Sequence, residues 1–140
     1  MSDGPAGRQE RADSGEASAT CPFCSEAFRA EAIEHLGTVF AVPDAQPVSP
    51  GHVLVVPVRH TADYFTMTGR ERADADRLLR RLRERMMRQD PQITGFNVGS
   101  NCGSSAGQHI LHAHVHLIPR REGDGNGRGV KGVVRNRFAY

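Results

Sequence analysis

One stretch constrains this chain more than any other: Gly107–Arg121, GQHILHAHVHLIPRR. His112, His114 and His116 fall on every second residue. Ala113, Val115 and Leu117 fill the gaps, and Ile110, Leu111, Ile118 and Pro119 flank them. Extended backbone sends successive side chains to opposite faces, so this spacing puts three imidazoles in a row on one face and small apolar groups on the other. A helix would scatter the three rings around its axis. The stretch reads as a strand with one face in a core and the other forming the floor of a site.

Three readings of the row compete. In the first, the rings merely satisfy buried hydrogen bonds, which an alternating triplet beside apolar residues seldom does. In the second, all three hold a catalytic metal. The third, which the pattern favours, is a relay for phosphorus chemistry. Imidazole titrates near neutrality, so one ring can attack while a neighbour donates a proton. A neutral His114 would attack a phosphoryl centre and His116 would donate a hydrogen bond to its oxygens. Water would then release the product. An affinity tag is excluded, because the run is internal and alternates with apolar residues.

The 140 residues suit one domain, and 38% hydrophobic residues allow a real core. A net charge of +2 does not argue for nucleic acid or membrane. No stretch approaches the roughly 20 apolar residues of a membrane span. The N-terminus lacks an apolar signal core, so a cytoplasmic location is expected. Residues 1–20 are small, polar and charged, and read as a disordered tail before a domain over 21–140. Cys21-Pro22-Phe23-Cys24 is a CxxC pair, open between a zinc half-site, a thiol–disulfide couple and chance. The redox reading expects a thioredoxin-like pattern that the chain does not provide. Zinc needs two more ligands, for which His60 and His112, near the ends of apolar strands, are candidates.

Residues 25–36 read as a short helix and Thr38–Val42 as a strand. Asp44–Gly51 is a Pro-rich turn, and His52–Val58 is a strand apolar on both faces, hence central, with Pro57 at its margin or at a bulge. Thr68-Gly69-Arg70-Glu71 is a capping-box pattern that predicts a helix over 69–88 with the stripe Ala75, Leu78, Leu79, Leu82, Met86. Its arginines read as a solvated face balanced by Glu71, Asp74, Asp76 and Glu84, rather than as a nucleic-acid surface. Ile93–Gly99 is a further strand, Ser100–Gly107 a small-residue loop, and Gly132–Tyr140 a short last strand and tail.

HAHVHLI, with Ala106-Gly107-Gln108 before it and Ile118-Pro119-Arg120 after it, resembles the signature of the histidine triad (HIT) superfamily. The likeness extends over about residues 21–140. The Gly-rich segment after the triad is similar to that of bacterial diadenosine-polyphosphate-hydrolase-like members. The resemblance implies an α+β fold: an antiparallel sheet of about five strands with one long helix and a short N-terminal helix. It implies that His114 becomes nucleotidylated, with His116, His112 and Gln108 assisting. It assigns Asp44 to the ribose, Asn101 to phosphate, and His52 to the wall of the site. His109 stands where many relatives have Ser or Thr beside the leaving group, which leaves the leaving-group preference open. Some members pair an N-terminal CxxC with a histidine after V-x-P-x-x-H and with the first triad histidine. Val56–His60 matches the middle element, so the resemblance implies a closed structural zinc site of Cys21, Cys24, His60 and His112. It also implies a homodimer. The expected activity is hydrolysis or transfer at the α-phosphate of an adenosine polyphosphate such as a diadenosine polyphosphate. A phosphoramidate or aminoacyl-adenylate is the alternative substrate, and a non-catalytic nucleotide-binding regulator the alternative class.

Overall fold

The computed structural model describes residues 20–125, 127, 129 and 130. The expected tail, apart from Thr20, and the expected strand after Gly132 lie outside the described residues. A 3-10 turn at Pro22–Cys24 leads into a one-turn helix α1, Glu26–Arg29. Strands β1 (Glu34–Leu36), β2 (Val39–Pro43) and β3 (Val53–Pro57) follow. Then come helix α2 (Gly69–Gln89), β4 (Ile93–Gly99) and β5 (Val115–Arg121). The five strands form one sheet in the order β1-β2-β3-β5-β4, and every neighbouring pair is antiparallel. No helix among the described residues is long and apolar enough to cross a membrane.

The period-2 patterns of β2 and β3 divide the core in two. Val39, Ala41, Val53 and Val55 point to one face, where Ala75, Leu78 and Leu82 of α2 cover them together with Ala113 and Leu117. Phe40, Val42, Leu54 and Val56 point to the other, beneath Phe23, Phe28 and Ile110. β3 is central and wholly buried, as its two-sided apolar sequence requires, and Pro57 ends it.

α2 starts at the expected box: the Thr68 hydroxyl accepts from the Glu71 N–H, and the Glu71 carboxylate from the Thr68 N–H. Two of its acidic residues are not on a solvated face. Glu71 is buried and held by Arg59 through Nε at 2.9 Å and Nη2 at 3.0 Å. Asp74 is buried, and its Oδ2 accepts from the Thr38 N–H at 2.9 Å and the Thr38 hydroxyl at 2.8 Å. These bonds hold the Asp74 carboxyl below its usual range. The expected helix over 25–36 stops at Arg29, because Glu34–Leu36 pair with β2 instead. Glu34 is drawn across to α2 by Arg81 at 2.6 Å and by Arg85.

Gly37 makes the β1–β2 turn at φ +56°, where a side chain is strained, and a Cβ there would collide with the Asp74 carboxylate. Gly37→Ala is therefore expected to destabilise the fold by about 2–4 kcal/mol, combining backbone strain with a displaced buried carboxylate. Urea midpoints of the two proteins would measure it.

Candidate functional site

Only the last triad histidine lies within β5; His112 and His114 precede the ladder. Ala113 donates its N–H to Thr61 O at 2.8 Å, and its side chain joins the core beneath α2 while the rings of His112 and His114 meet Phe23 on the other face. All three imidazoles are buried on the sheet face opposite α2. The register sets His116 beside Leu54 of β3 and Gly99 of β4.

The hydrogen bonds assign each ring its tautomer. The Val48 N–H donates to His52 Nδ1 at 3.0 Å. His52 must then carry its proton on Nε2, which donates to His116 Nδ1 at 2.9 Å. His116 in turn holds its proton on Nε2. The His114 Nδ1–H donates to the His112 carbonyl at 2.7 Å, which leaves Nε2 as a lone pair. His112 Nε2–H donates to Pro57 O at 2.9 Å, which leaves its Nδ1 as a lone pair. The Ser100 hydroxyl pins the His114 carbonyl at 2.7 Å. The row thus presents a lone pair on His112 Nδ1, a lone pair on His114 Nε2 and an N–H on His116 Nε2, in that order.

Burial lowers His114 below the ordinary imidazole range. Burial, and then the neighbouring His114 and His52, press His116 down to about 3. His52 is lowered by burial against the opposing pull of Asp44, whose Oδ2 lies 3.4 Å from His52 Nε2 and 3.9 Å from His116 Nδ1. A folded-state value for His116 below the ordinary 6.5 means that the unfolded chain takes up a proton the folded one refuses. Its contribution to stability is therefore complete above that ordinary value and is lost as pH falls toward the folded value. His116→Gln is expected to reduce proton uptake on unfolding by about one near pH 5, read from the pH dependence of the unfolding free energy.

A second cluster lies beside the first. The ligand atoms of Cys21, Cys24, His60 and His112 all fall within 4.8 Å of one another. His112 Nδ1 stands 3.4 Å from Cys21 Sγ, 3.7 Å from Cys24 Sγ and 3.2 Å from His60 Nδ1, and Cys24 Sγ stands 3.4 Å from His60 Nδ1. Metal–ligand bonds of about 2.0–2.3 Å in a tetrahedron give ligand–ligand edges of about 3.3–3.8 Å, so this donor set fits a zinc-sized cation. Burial, then the adjacent Cys24 thiol, push the Cys21 thiol up to about 11, so only a cation among the four would make thiolate the stable form. Burial holds His112 down to about 4, neutral as a ligand must be. The Pro57 carbonyl behind His112 is the outer partner that orients a metal-binding imidazole.

A cleft of about 310 Å³ opens over His114 and His116. Phe23, Phe28, Leu54 and Ile110 make its apolar wall, and Asp44, Glu31 and His109 stand around it. That volume lies at the low end for small-molecule sites. Of residues 38–43, only Pro43 reaches the cleft, because Phe23 and Phe28 cover Phe40. Asp44 takes the Gln46 N–H on Oδ1 at 2.8 Å, so it closes its own turn as well as facing the cleft. Gln108 is buried with its amide committed to the loop. Oε1 accepts from the Gly103 N–H at 2.8 Å, and Nε2 donates to the carbonyls of Ala62 and Ile110 at 2.7 and 3.0 Å. Asn101 borders a separate cavity of about 180 Å³ on the β4 side of His116. The fold therefore gathers His114, His116, Asp44 and His109 at one cleft, packs His52 behind His116, and places Gln108 and Asn101 away from the cleft lining. The aromatic wall from Phe23 and Phe28 was not anticipated, although Phe23 sits between the two cysteines.

The histidine row lies beside an aromatic cleft at the start of β5, and chains of similar sequence and fold are known. The HIT domain model matches residues 27–123. The chain belongs to the HIT family. It is 38% identical over 89 residues to the AP-4-A phosphorylase of Mycobacterium tuberculosis, a match covering 63% of this chain and 45% of that protein. The chain thus spans less than half the length of that curated relative. A HIT family protein from Bacillus anthracis, known from a crystal structure, superimposes with a TM-score of 0.71 at 29% identity, covering 87% of this chain and 88% of that one. A zinc-bound histidine triad family protein from Mycobacterium smegmatis gives 0.65 at 30% identity, covering 75% and 78%.

Proposed function

We propose that this protein is a nucleotide hydrolase or transferase acting at an α-phosphate, with a dinucleoside polyphosphate such as a diadenosine polyphosphate as the favoured substrate. The observation that carries this reading is the tautomer chain. It aims a neutral lone pair from His114 Nε2 and an N–H from His116 Nε2 out of adjacent buried rings.

In this reading the base and ribose enter the cleft against Phe23, Phe28 and Ile110, and Asp44 accepts the ribose hydroxyls on the lone pairs its turn leaves over. His114 Nε2 forms a bond to the α-phosphorus as the bond to the leaving group breaks. His116 Nε2–H stabilises the phosphoryl oxygens through the transfer. The leaving group departs past His109 at the edge of the cleft and takes a proton from solvent, which the attacking water gives back in the next step. Water then displaces His114, releases the nucleoside monophosphate and returns the lone pair to Nε2. Gln108 holds the loop before the triad, and Asn101 takes a phosphate oxygen only after a shift of its side chain from the neighbouring cavity. Cys21, Cys24, His60 and His112 would hold a structural zinc, whose charge would keep the two thiolates ionised. The reading also carries a homodimer, for which Phe65 and Val98, both exposed, offer apolar surface.

His52 supports His116 without touching substrate. His52→Ala is expected to lower turnover roughly tenfold, the worth of one buried hydrogen bond, while His52→Gln, which keeps an N–H donor, retains more of it. Steady-state rates on one substrate would show the order.

Parallel incubation with diadenosine tetraphosphate and adenosine 5′-phosphoramidate tests the assignment. Catalytic release of AMP from either supports it, and the faster substrate names the leaving group. No AMP from either, with AMP itself still bound, would overturn it in favour of a nucleotide-binding regulator.

A further inference from the structure

We propose that Phe23 is a positioning residue for His114, and that the metal site acts on the nucleotide cleft through it. The proposal rests on the nucleotide reading of that cleft and adds a coupling between two sites that otherwise share only His112.

Phe23 is the second residue of the turn between Cys21 and Cys24, a turn closed by the Cys24 N–H on the Cys21 carbonyl at 3.1 Å. Both flanking thiols belong to the four-residue cluster, so ligation would fix the Phe23 backbone from either side. Its ring is buried and meets His114 nearly edge-on, with centroids 5.0 Å apart and planes at 78°. It meets His112 at 5.9 Å and 63°, and lies flat on Phe28 at 4.2 Å and 10°. Phe23 and Phe28 are also two walls of the cleft that holds His114 and His116. One rigid aromatic pair thus touches the nucleophile on one side and the ligand space on the other. The pair of cysteines anchors it at one end, beside the Arg29 bond to the Phe23 carbonyl.

The anchor can be released without detaching the segment. Arg29 donates from Nε to the Phe23 carbonyl at 3.2 Å and from Nη2 to the Val58 carbonyl at 2.7 Å. Those bonds tie the N-terminal segment to the end of β3 independently of the cysteines. Loss of the cation is therefore a local event: the turn relaxes, the Phe23 ring leaves His114, and the cleft loses part of its wall.

The test uses the full chain with labelled histidine, zinc-loaded or chelated, as wild type and Phe23→Leu. Two quantities are read: the resonance of the His114 carbon-bound ring proton, which the Phe23 ring current displaces, and AMP affinity. With zinc content unchanged, Phe23→Leu is expected to move that resonance and to weaken AMP by about two- to tenfold, the worth of an aromatic contact. Chelation of the wild type is expected to reproduce both changes, and chelation of Phe23→Leu to add little, since coupled changes are not additive. The proposal is overturned if Phe23→Leu leaves both quantities unchanged, if chelation removes zinc without moving the resonance, or if chelation weakens AMP equally in both proteins. If the loaded wild type binds no AMP, the nucleotide reading of the cleft fails, while the resonance, measured without ligand, still decides whether Phe23 couples metal to His114.

Discussion

His114→Ala is expected to cut turnover by about 10⁴-fold or more, with AMP binding weakened only a few-fold, because it removes the attacking atom and little of the wall. Two alternatives predict otherwise. If His114 served only as a hydrogen-bond donor, a loss of roughly 10²–10³ would remain compatible with direct attack by water. If the row were only a packing feature, the loss would appear in stability instead. His114 donates one hydrogen bond, to its neighbour's carbonyl, and makes edge contacts with Phe23 and His116, so alanine leaves a cavity but no stranded charge. Single-turnover rates with thermal melts on the same samples separate these cases.

Removing the proposed zinc is expected to lower Tm by about 10 °C or more, the shift produced when a tightly held native-state ligand is withdrawn from a domain of this size. Cys24→Ser is expected to do the same. Its thiol stands within 3.4 Å of His60 Nδ1 and 3.7 Å of His112 Nδ1, and among the described residues no further ligand atom joins the cluster. The effect is stabilising because the four ligands come from three separated parts of the chain: the N-terminal turn, the end of β3, and the approach to β5. Closing them around one ion ties the N-terminal segment to the centre of the sheet. A metal holding all three triad histidines would behave differently. Chelation would then stop chemistry at once with little change in Tm. The geometry disfavours that arrangement, since His114 Nδ1 donates to a carbonyl and His116 Nδ1 accepts from His52.

Much of this was legible in the sequence, for a physical reason in each case. The triad alternation is a local pattern whose period identifies extended backbone, and the structure keeps its two faces even where the ladder has not begun. The start of α2 was legible because a capping box is a four-residue signature. The metal cluster was reached because cysteine and histidine are few, and the resemblance paired residues that lie far apart in the chain. What escaped depends on tertiary context. β1 is three residues long and exists because β2 pairs with it, so no run of apolar residues announces it. Glu71 and Asp74 looked like solvated charges, but Arg59 and Thr38 arrive from other elements to bury them. Gln108 was expected to assist His114, and its amide bonds three backbone groups that no local sequence pattern pairs with it. The cleft wall came largely from Phe23 and Phe28, because the N-terminal segment folds over the sheet and covers Phe40 of β2.

The central claim is that His114 forms a bond to phosphorus before water does. The stereochemical course at the α-phosphorus tests it most directly, using a substrate made chiral there with sulfur and hydrolysed in ¹⁸O-labelled water. Two successive in-line displacements, first by His114 and then by water, restore the original configuration, so the account predicts net retention. Net inversion would mean that water attacks in a single step, with His114 as no more than a base, and would contradict it.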